Sequence, residues 1–385
     1  MRIVSVTHYF PAYGGGIEAV ALELNRRLGL AGNEVYWFAS RTEQLPEPSP
    51  GLFLQPMLAI HLLERLLGLP LPIWIFPDIR RLWSAIERCD VVHVHDYIYP
   101  GSLIALAAAA RYGKPVVITQ HIGMVPYDSL VLTRLLQAVN RTIGKWALAK
   151  ADQVVFISDA VRAFFSDFCR FSRKPLLIPN GVDHEIFSPI RISPESARTE
   201  LGLNPDAPVC LFVGRFVEKK GLHLLRPVVA STPEIQWLFA GSGPLDPSKW
   251  GLSNAHVFSG LSRQTLAPLF QAADLLVLPS RGEGFPLVIQ EAFACGVPAL
   301  TTPETASGLA EASSILFSCS VDGPDPSVRW PETIRSILRD REGRARRATD
   351  ALAYSRQHWS WQTCVRRYIR IYSDLSGVAA IESGS

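Results

Sequence analysis

Asp274-Leu-Leu-Val-Leu-Pro-Ser-Arg-Gly-Glu-Gly-Phe-Pro-Leu-Val-Ile-Gln-Glu-Ala-Phe-Ala-Cys-Gly296 is the stretch that decides the fold. Leu275–Leu278 is a short apolar run of the kind that forms a strand buried on both faces. Pro279-Ser-Arg-Gly-Glu-Gly-Phe285 is rich in breakers and reads as a loop, with Pro286 at a first helical position. From there Leu287, Val288, Ala292, Phe293 and Cys295 follow a helical period, and Gly296-Val-Pro298 ends the helix. A strand, a glycine loop and a helix in that order aim unpaired backbone N–H groups and a positive dipole end at an anion above the strand.

Two carboxylates frame that anion site. Glu283 lies in the loop, and Glu291 lies about five residues into the helix, roughly 7–8 Å along its axis. The separation argues against a single acid–base dyad. It suits two tasks, each carboxylate accepting hydrogen bonds from vicinal hydroxyls at opposite ends of an extended ligand. A phosphate between them and hydroxyls at either end describes a nucleotide sugar. Taken alone, the stretch also fits an ordinary βα unit with two solvated glutamates.

Glu283 and Glu291, with seven residues between them and Gly284-Phe-Pro-Leu287 inside, resemble the E-x7-E signature of retaining GT-B glycosyltransferases. The nearest group is the glycosyl transferases group 1 family, number 4 in the usual classification. The resemblance implies that Glu283 contacts hydroxyls of the donor sugar and that Glu291 holds the ribose diol. It also implies that Gly284, Phe285, Pro286, Leu287 and Val288 lie against the sugar and diphosphate, through the backbone N–H groups available between Phe285 and Val288.

A chain of 385 residues predicts two domains of ordinary size. Hydrophobic residues make up 48% and the net charge is +3, too mild a balance to imply nucleic-acid binding. The late arginines Arg335, Arg339, Arg341, Arg344, Arg346 and Arg347 read as a solvated helix face. Six scattered cysteines without a CxxC pair argue for free thiols in a reducing compartment and against a zinc site. The N-terminus runs directly into a strand, with no visible signal peptide, and no apolar run reaches the ~18 residues of a membrane span. A cytoplasmic protein is expected, placed at the inner face of the membrane if its acceptor is lipid-linked.

Along the chain, Arg2–Val6, a helix near Ile17–Leu30 and Glu34–Ala39 form a βαβ opening. Gly14-Gly-Gly16 between the first two is not GxGxxG, and no acidic residue closes the second strand, which weakens a dinucleotide reading. The turn resembles the family's N-terminal glycine loop, which implies that Gly15 and Gly16 approach the diphosphate. Residues 41–88 do not read as regular α/β. Within them Leu52–Pro77 is apolar and proline-broken, with a helical part predicted over Met57–Leu67. Its plain reading is an amphipathic element packed on its own domain. Its sharper reading is an apolar surface, including Trp74 and Phe76, that meets a lipid carrier.

Asp90–Asp96 and Lys114–Gly123 read as buried strands ending in polar residues, where α/β sheets place ligands. His121 stands at the end of the second. Histidine is the side chain that titrates near neutral pH without perturbation, and the family resemblance places His121 at the reaction centre. His93, His95 and His121 raise the question of a metal, but His93 and His95 alternate along one strand and nothing completes a ligand set. Asp128–Ala149 reads as a long amphipathic surface helix. Asp152–Ser158 and Leu176–Pro179 complete the first sheet, and Asn180 lies in a turn resembling the family's entry into the second domain. The low-regularity segment Phe187–Asp206 follows.

Val209–Val213 restarts the pattern and leads into Gly214-Arg-Phe-Val-Glu-Lys-Lys-Gly221. Arg215 can grip a phosphate with two parallel donors and Lys220 supplies a mobile point charge, so the loop reads as a diphosphate clamp. It resembles the family's G-R-x(4)-K-G element. Gly241-Ser-Gly-Pro244 is similar to the family's G-x-G-P. Phe258 and Leu261 belong to a shelf resembling the one on which the nucleotide base rests. After Gly296 the likeness thins, because Thr302-Pro-Glu-Thr-Ala-Ser-Gly-Leu-Ala-Glu311 replaces an expected glycine pair and glutamate. Pro331–Ala353 reads as one arginine-rich helix, and Trp359-Ser-Trp361 precedes a helix resembling the one that crosses back to the first domain.

The expected fold is α/β with GT-B architecture, two Rossmann-like parallel-sheet domains whose ligand loops face a cleft. The expected limits are 1–178 for an acceptor domain, 179–356 for a nucleotide-sugar domain and 357–385 for the returning helix. The expected activity is retaining transfer of a hexose-type sugar from a nucleoside-diphosphate sugar to a hydroxyl acceptor. No cofactor and no metal are expected, since no DxD-type element is placed to hold one, and His121, Glu283, Arg215 and Lys220 carry the chemistry. The apolar 52–77 segment favours a lipid-linked or polysaccharide-precursor glycan as acceptor. The alternatives are a small soluble acceptor, a sugar-nucleotide epimerase, or a catalytically silent nucleotide-sugar-binding protein of the same fold.

Overall fold

The structure, a computed structural model, describes residues 1–62, 64, 71–123, 130–189, 194–308 and 310–379. The chain divides into two compact units, one formed by Met1–Asn180 with Trp361–Ser385 and the other by Gly181–Ser360.

In the first unit the strands are β1 (Arg2–Tyr9), β2 (Glu34–Ser40), β3 (Leu52–Met57), β4 (Ala59–Ile60), β5 (Ile73–Trp74), β6 (Val91–His95), β7 (Val116–Gln120), β8 (Gln153–Phe156) and β9 (Leu176–Leu177). Seven of them form a sheet in the order β3-β2-β1-β6-β7-β8-β9, with every pairing parallel. β6 and β7 are buried along their whole length, as their near-continuous apolar runs require when helices cover both faces. Val4, Val92, Val94, Ile118 and Phe156 pack with Leu82 and Ile86 of helix Phe76–Arg88 and Ala105 and Ala108 of helix Pro100–Tyr112. The sheet order reverses between β1 and β6, and such a switch point opens a crevice at the strands' carboxyl ends.

The 41–88 segment is more regular than its prolines suggest. Leu52–Met57 is a parallel edge strand, and β4 and β5 form a small antiparallel pair, so the helix expected from Met57 does not start there. An edge strand tolerates Pro56 because its outward side needs no donor. Residues 63 and 65–67 of that expectation lie outside the described residues. Trp74 is buried, 3% exposed, and donates from Nε1 to Ser40 Oγ at 2.8 Å, so it is a core residue rather than a surface anchor. Phe76 is 70% exposed. The helix expected at 128–149 is described as Leu130–Val139, a π-helical segment Asn140–Gly144, and Lys145–Lys150.

The second unit holds β10 (Val209–Val213), β11 (Gln236–Ala240), β12 (Ala255–Phe258), β13 (Leu275–Leu278), β14 (Ala299–Thr301) and β15 (Phe317–Ser318). They form a parallel sheet in the order β12-β11-β10-β13-β14-β15, with its switch point between β10 and β13. The irregular 187–206 segment contains helix Pro194–Glu200, whose Arg198 is buried and reaches Asp274 at 2.8 Å. Two helices, Pro326–Arg339 and Arg341–His358, replace the single arginine-rich helix expected, because Asp340 stops one and caps the next through Gly343 N. Several of those arginines are engaged rather than merely solvated. Arg344 pairs with Asp274, Arg335 with Glu234, and Arg347 lies over Phe317.

Helix Trp361–Ser376 belongs to the first unit. Its Tyr372 OH meets His93 Nδ1 at 2.8 Å, and its Tyr368 OH meets Thr119 Oγ1 at 2.8 Å, which in turn meets His93 Nε2 at 2.8 Å. All six cysteines are free and buried.

Candidate active site

In the second unit, the loops that follow β10 and β13 leave neighbouring strands at the switch point. Lys220 Nζ lies 2.6 Å from Glu283 Oε1, and each side chain is only 15% exposed. The two residues assigned to phosphate and to sugar hydroxyls therefore meet each other in the free chain. Gly221 permits the approach. Its φ is +79°, and an added Cβ would lie 2.6 Å from the Pro279 carbonyl oxygen. Arg281 N also donates to Lys219 O at 3.0 Å, joining the loops by main chain. Arg215 is exposed at the start of the same loop as Lys220.

The segment where the family likeness thins buttresses the same loop. Thr302 Oγ1 donates to Ser280 O at 3.0 Å, and Gly282 N donates to Glu304 Oε1 at 3.2 Å. Phe285 is buried against Trp359 with ring centroids 5.6 Å apart. Helix Leu287–Ala294 has Pro286 as its N-cap and so starts one position later than expected, with the Leu287 and Val288 amides at its open N-terminus.

Glu291 is buried, and its nearest cation is Arg263, 3.6 Å away. Burial pushes the Glu291 carboxyl up to about 7, against the lowering influence of Arg263. Arg263 itself lies over the Phe187 ring at 5.3 Å. Sequence reading missed Arg263, which stands at the start of helix Arg263–Ala272 behind the Ser262 cap. Glu283 and Glu291 thus belong to separate charge partners. Phe258 ends β12, half-buried, and Leu261 is exposed just after it.

Gly15, Gly16, His121 and Asn180 belong to the first unit. Gly15 caps helix Gly16–Leu30, and Gly16 is its first residue. A Cβ on Gly15 would lie 2.1 Å from a Glu18 carboxylate oxygen, so a side chain here would displace the carboxylate that folds back over the helix start. Glu18 occupies the third helical position, where an acidic residue serves as half of a capping box. It is buried and pairs with His8 Nε2 at 2.9 Å, while the His8 ring stacks on Tyr99 with centroids 3.7 Å apart. Asn180 is buried at the end of the unit's first segment.

His95 Nδ1 and His121 Nε2 are 3.0 Å apart. Burial, and then the neighbouring His8, lower the His121 pKa to about 3. His121 is therefore a neutral imidazole at pH 7, and the expectation of a group titrating near neutrality is corrected by its desolvation. Asp96, to which the sequence assigned no role of its own, adopts φ +58° and accepts from His121 N at 2.7 Å. Complete burial pushes its carboxyl up to about 8, partly offset by the His121 and Ile122 amides. A left-handed non-glycine residue in a buried site stores strain where geometry matters. Its signal in the sequence was its place at a strand's carboxyl end. Among the described residues, no three His, Cys, Asp or Glu side chains are grouped to hold a metal ion.

Two family models match the chain, Glycosyltransferase Family 4 over residues 14–186 and Glycosyl transferases group 1 over residues 194–351. The chain is 30% identical to D-inositol 3-phosphate glycosyltransferase 1 of Catenulispora acidiphila, covering 77% of this chain and 73% of that protein. The chain belongs to the glycosyl transferases group 1 family. It is an enzyme, a glycosyltransferase of GT-B fold. D-inositol 3-phosphate glycosyltransferase of Xylanimonas cellulosilytica is 28% identical over 94% of this chain and 92% of its own length. Sucrose-phosphate synthase from Thermosynechococcus elongatus superposes with a TM-score of 0.78 at 20% identity, over 98% of this chain and all of that one. Anabaena HepE in complex with UDP-glucose gives 0.75 at 16% identity, over 97% of this chain and all of that one.

Proposed function

We propose that the enzyme transfers a hexosyl group from a nucleoside-diphosphate sugar to a hydroxyl acceptor, with retention and without a divalent metal. The carrying observation is the Lys220–Glu283 pair, which joins the loop that carries Arg215 to the loop leading into the open N-terminus of helix Leu287–Ala294. The bond between the anomeric carbon and the diphosphate oxygen breaks as the acceptor oxygen bonds to that carbon. Arg215, Lys220 and the helix amides take up the charge on the departing diphosphate. The acceptor's proton passes to the departing phosphate oxygen. Glu283 accepts hydrogen bonds from the sugar and Glu291 from the ribose. The neutral His121 imidazole orients hydroxyls from the acceptor unit. UDP-glucose is the first donor to try, given the ligand of Anabaena HepE.

Front-face attack is favoured over double displacement, which needs a carboxylate nucleophile within ~5 Å of a partner carboxylate. Glu283 and Glu291 are instead committed to different cations. For the acceptor we favour a lipid-linked or polysaccharide-precursor glycan, on the exposed apolar and cationic surface of the first unit. A small polyol phosphate is the second reading, favoured by the names of the curated relatives.

Glu283→Gln, Arg215→Ala and Lys220→Ala are each expected to lower kcat for transfer by about 10²–10³ while leaving circular dichroism unchanged. Wild-type turnover in any of them removes that residue from the scheme, and reversible loss of activity in EDTA removes the metal-free claim. A donor screen against inositol phosphate and against a lipid extract, read by mass spectrometry, separates the two acceptors.

A further inference from the structure

The helical run 130–150 shows solvent a face that a packed surface helix would not. Val131 is 78% exposed, Leu135 55%, Ile143 40% and Trp146 50%. In an uninterrupted α-helix these four would spread over an arc of about 120° at ~100° per residue. The π-helical segment Asn140–Gly144 takes up one extra residue in the middle of the run. The downstream face turns back accordingly, and the four side chains fall within an arc of about 80°.

Charge accompanies the stripe. Arg134, Arg141, Lys145 and Lys150 are exposed, and residues 130–150 contain no Asp or Glu. A helix whose only role was a solvated surface would carry both signs and would not present a tryptophan. An apolar stripe with a half-exposed Trp and a wholly cationic polar face fits one partner chemistry, an anionic lipid surface on which the helix lies flat. Among the described residues no helix is long and apolar enough to cross a membrane, so the run lies along the bilayer rather than through it.

The inner face of the same π-helical segment grips the acceptor-side residues. Asn140 Oδ1 accepts from Tyr97 OH, and a Cβ on Gly144 would lie 2.6 Å from that tyrosine's ring. Tyr97 follows Asp96, whose Oδ1 accepts from the His121 amide.

We propose that the 130–150 helix docks the enzyme in the plane of an anionic bilayer, setting the His121 side of the first unit beside acceptors anchored there. The proposal deepens the lipid-linked reading of the acceptor and rests on it. The second exposed apolar patch, Ile60, Ile73 and Phe76, sits by a helix that carries both signs, Asp78 and Glu87 beside Arg80 and Arg81, and serves as the control.

The test is flotation of the full chain with phosphatidylcholine vesicles, with and without phosphatidylglycerol. Wild type is expected to float only with the anionic vesicles, and less at high salt. Val131→Ser/Leu135→Gln/Trp146→Gln and Arg134→Glu/Arg141→Glu/Lys145→Glu are each expected to lower the partition coefficient at least tenfold. Ile60→Gln/Phe76→Gln is expected to leave it unchanged. Binding of UDP measured by calorimetry is expected to be equal in all four proteins, since none of these residues is in the donor machinery. Failure of wild type to float, or equal flotation of the helix variants, overturns the proposal. So does a wild-type dimer in light scattering that only the apolar helix variant abolishes, because a second copy would then cover the stripe. UDP binding without flotation would remove the docking surface and leave the transferase reading standing, whereas loss of UDP binding in wild type would strike that reading itself.

Discussion

Glu291 shows how one side chain's surroundings set its chemistry. Its carboxyl is raised from 4.5 to about 7 by burial, with Arg263 too distant to restore it fully. In the proposed role of Glu291, ribose hydroxyls donate to the ionised form, so nucleotide affinity is expected to depend on the proton being gone. The Kd for UDP is expected to rise roughly tenfold between pH 8 and pH 6, and Glu291→Gln to flatten that dependence while weakening binding at pH 8. Calorimetry across the range checks both. The same shift acts on stability with a defined sign. A raised pKa stabilises the fold below about 4.5, and that contribution is lost as pH rises through 7. Glu291→Gln is therefore expected to raise Tm at pH 8, by an amount equivalent to at most about 3 kcal/mol, and to leave it unchanged at pH 4. His121 makes the complementary point, because a pKa near 3 takes it out of any pH profile around neutrality.

Elements carry these side chains to their places. The loop before helix Leu222–Ala230 and the loop after β13 touch at Gly221, where the positive φ and the 2.6 Å approach to the Pro279 carbonyl both exclude a side chain. Gly221→Ala is expected to cost more than about 1 kcal/mol in denaturant unfolding. It should also weaken UDP binding with the cations intact, because Lys220 moves away from Glu283. Unchanged binding in this variant would show that the loop junction does not position the clamp. The strand–loop–helix at 275–294 and the Arg215–Lys220 loop were legible because breakers, apolar runs and charge stand at characteristic spacings. Pro56 hid the edge strand β3, since a proline speaks against a central strand but not against an edge. The burial of Glu18 on His8 was not legible, because it depends on how the helix after the glycine turn packs back on β1.

At the scale of the whole molecule, the chain closes its first unit with its last helix. Val365, Tyr368, Ile371 and Tyr372 are buried there, at about 1.5–3 kcal/mol each. Their sum is comparable with the 5–15 kcal/mol that holds a typical domain together. A chain ending at Ser360 is therefore expected to lose the first unit's cooperative unfolding transition and to become insoluble. Adding a peptide of residues 361–379 in trans should restore solubility, and a soluble, fully folded 1–360 chain would contradict this.

By itself the sequence determined the two α/β halves, the strand–loop–helix over 275–294 and the cations of the 214–221 loop, because these follow from periodicity and breaker residues within about thirty positions. Only the tertiary structure decided that Lys220 meets Glu283, that Asp96 is strained under His121, and that Trp74 is core while Trp146 is surface. Those outcomes depend on which distant segments exclude water from a side chain, and desolvation is a property of the packed molecule that no local spacing encodes.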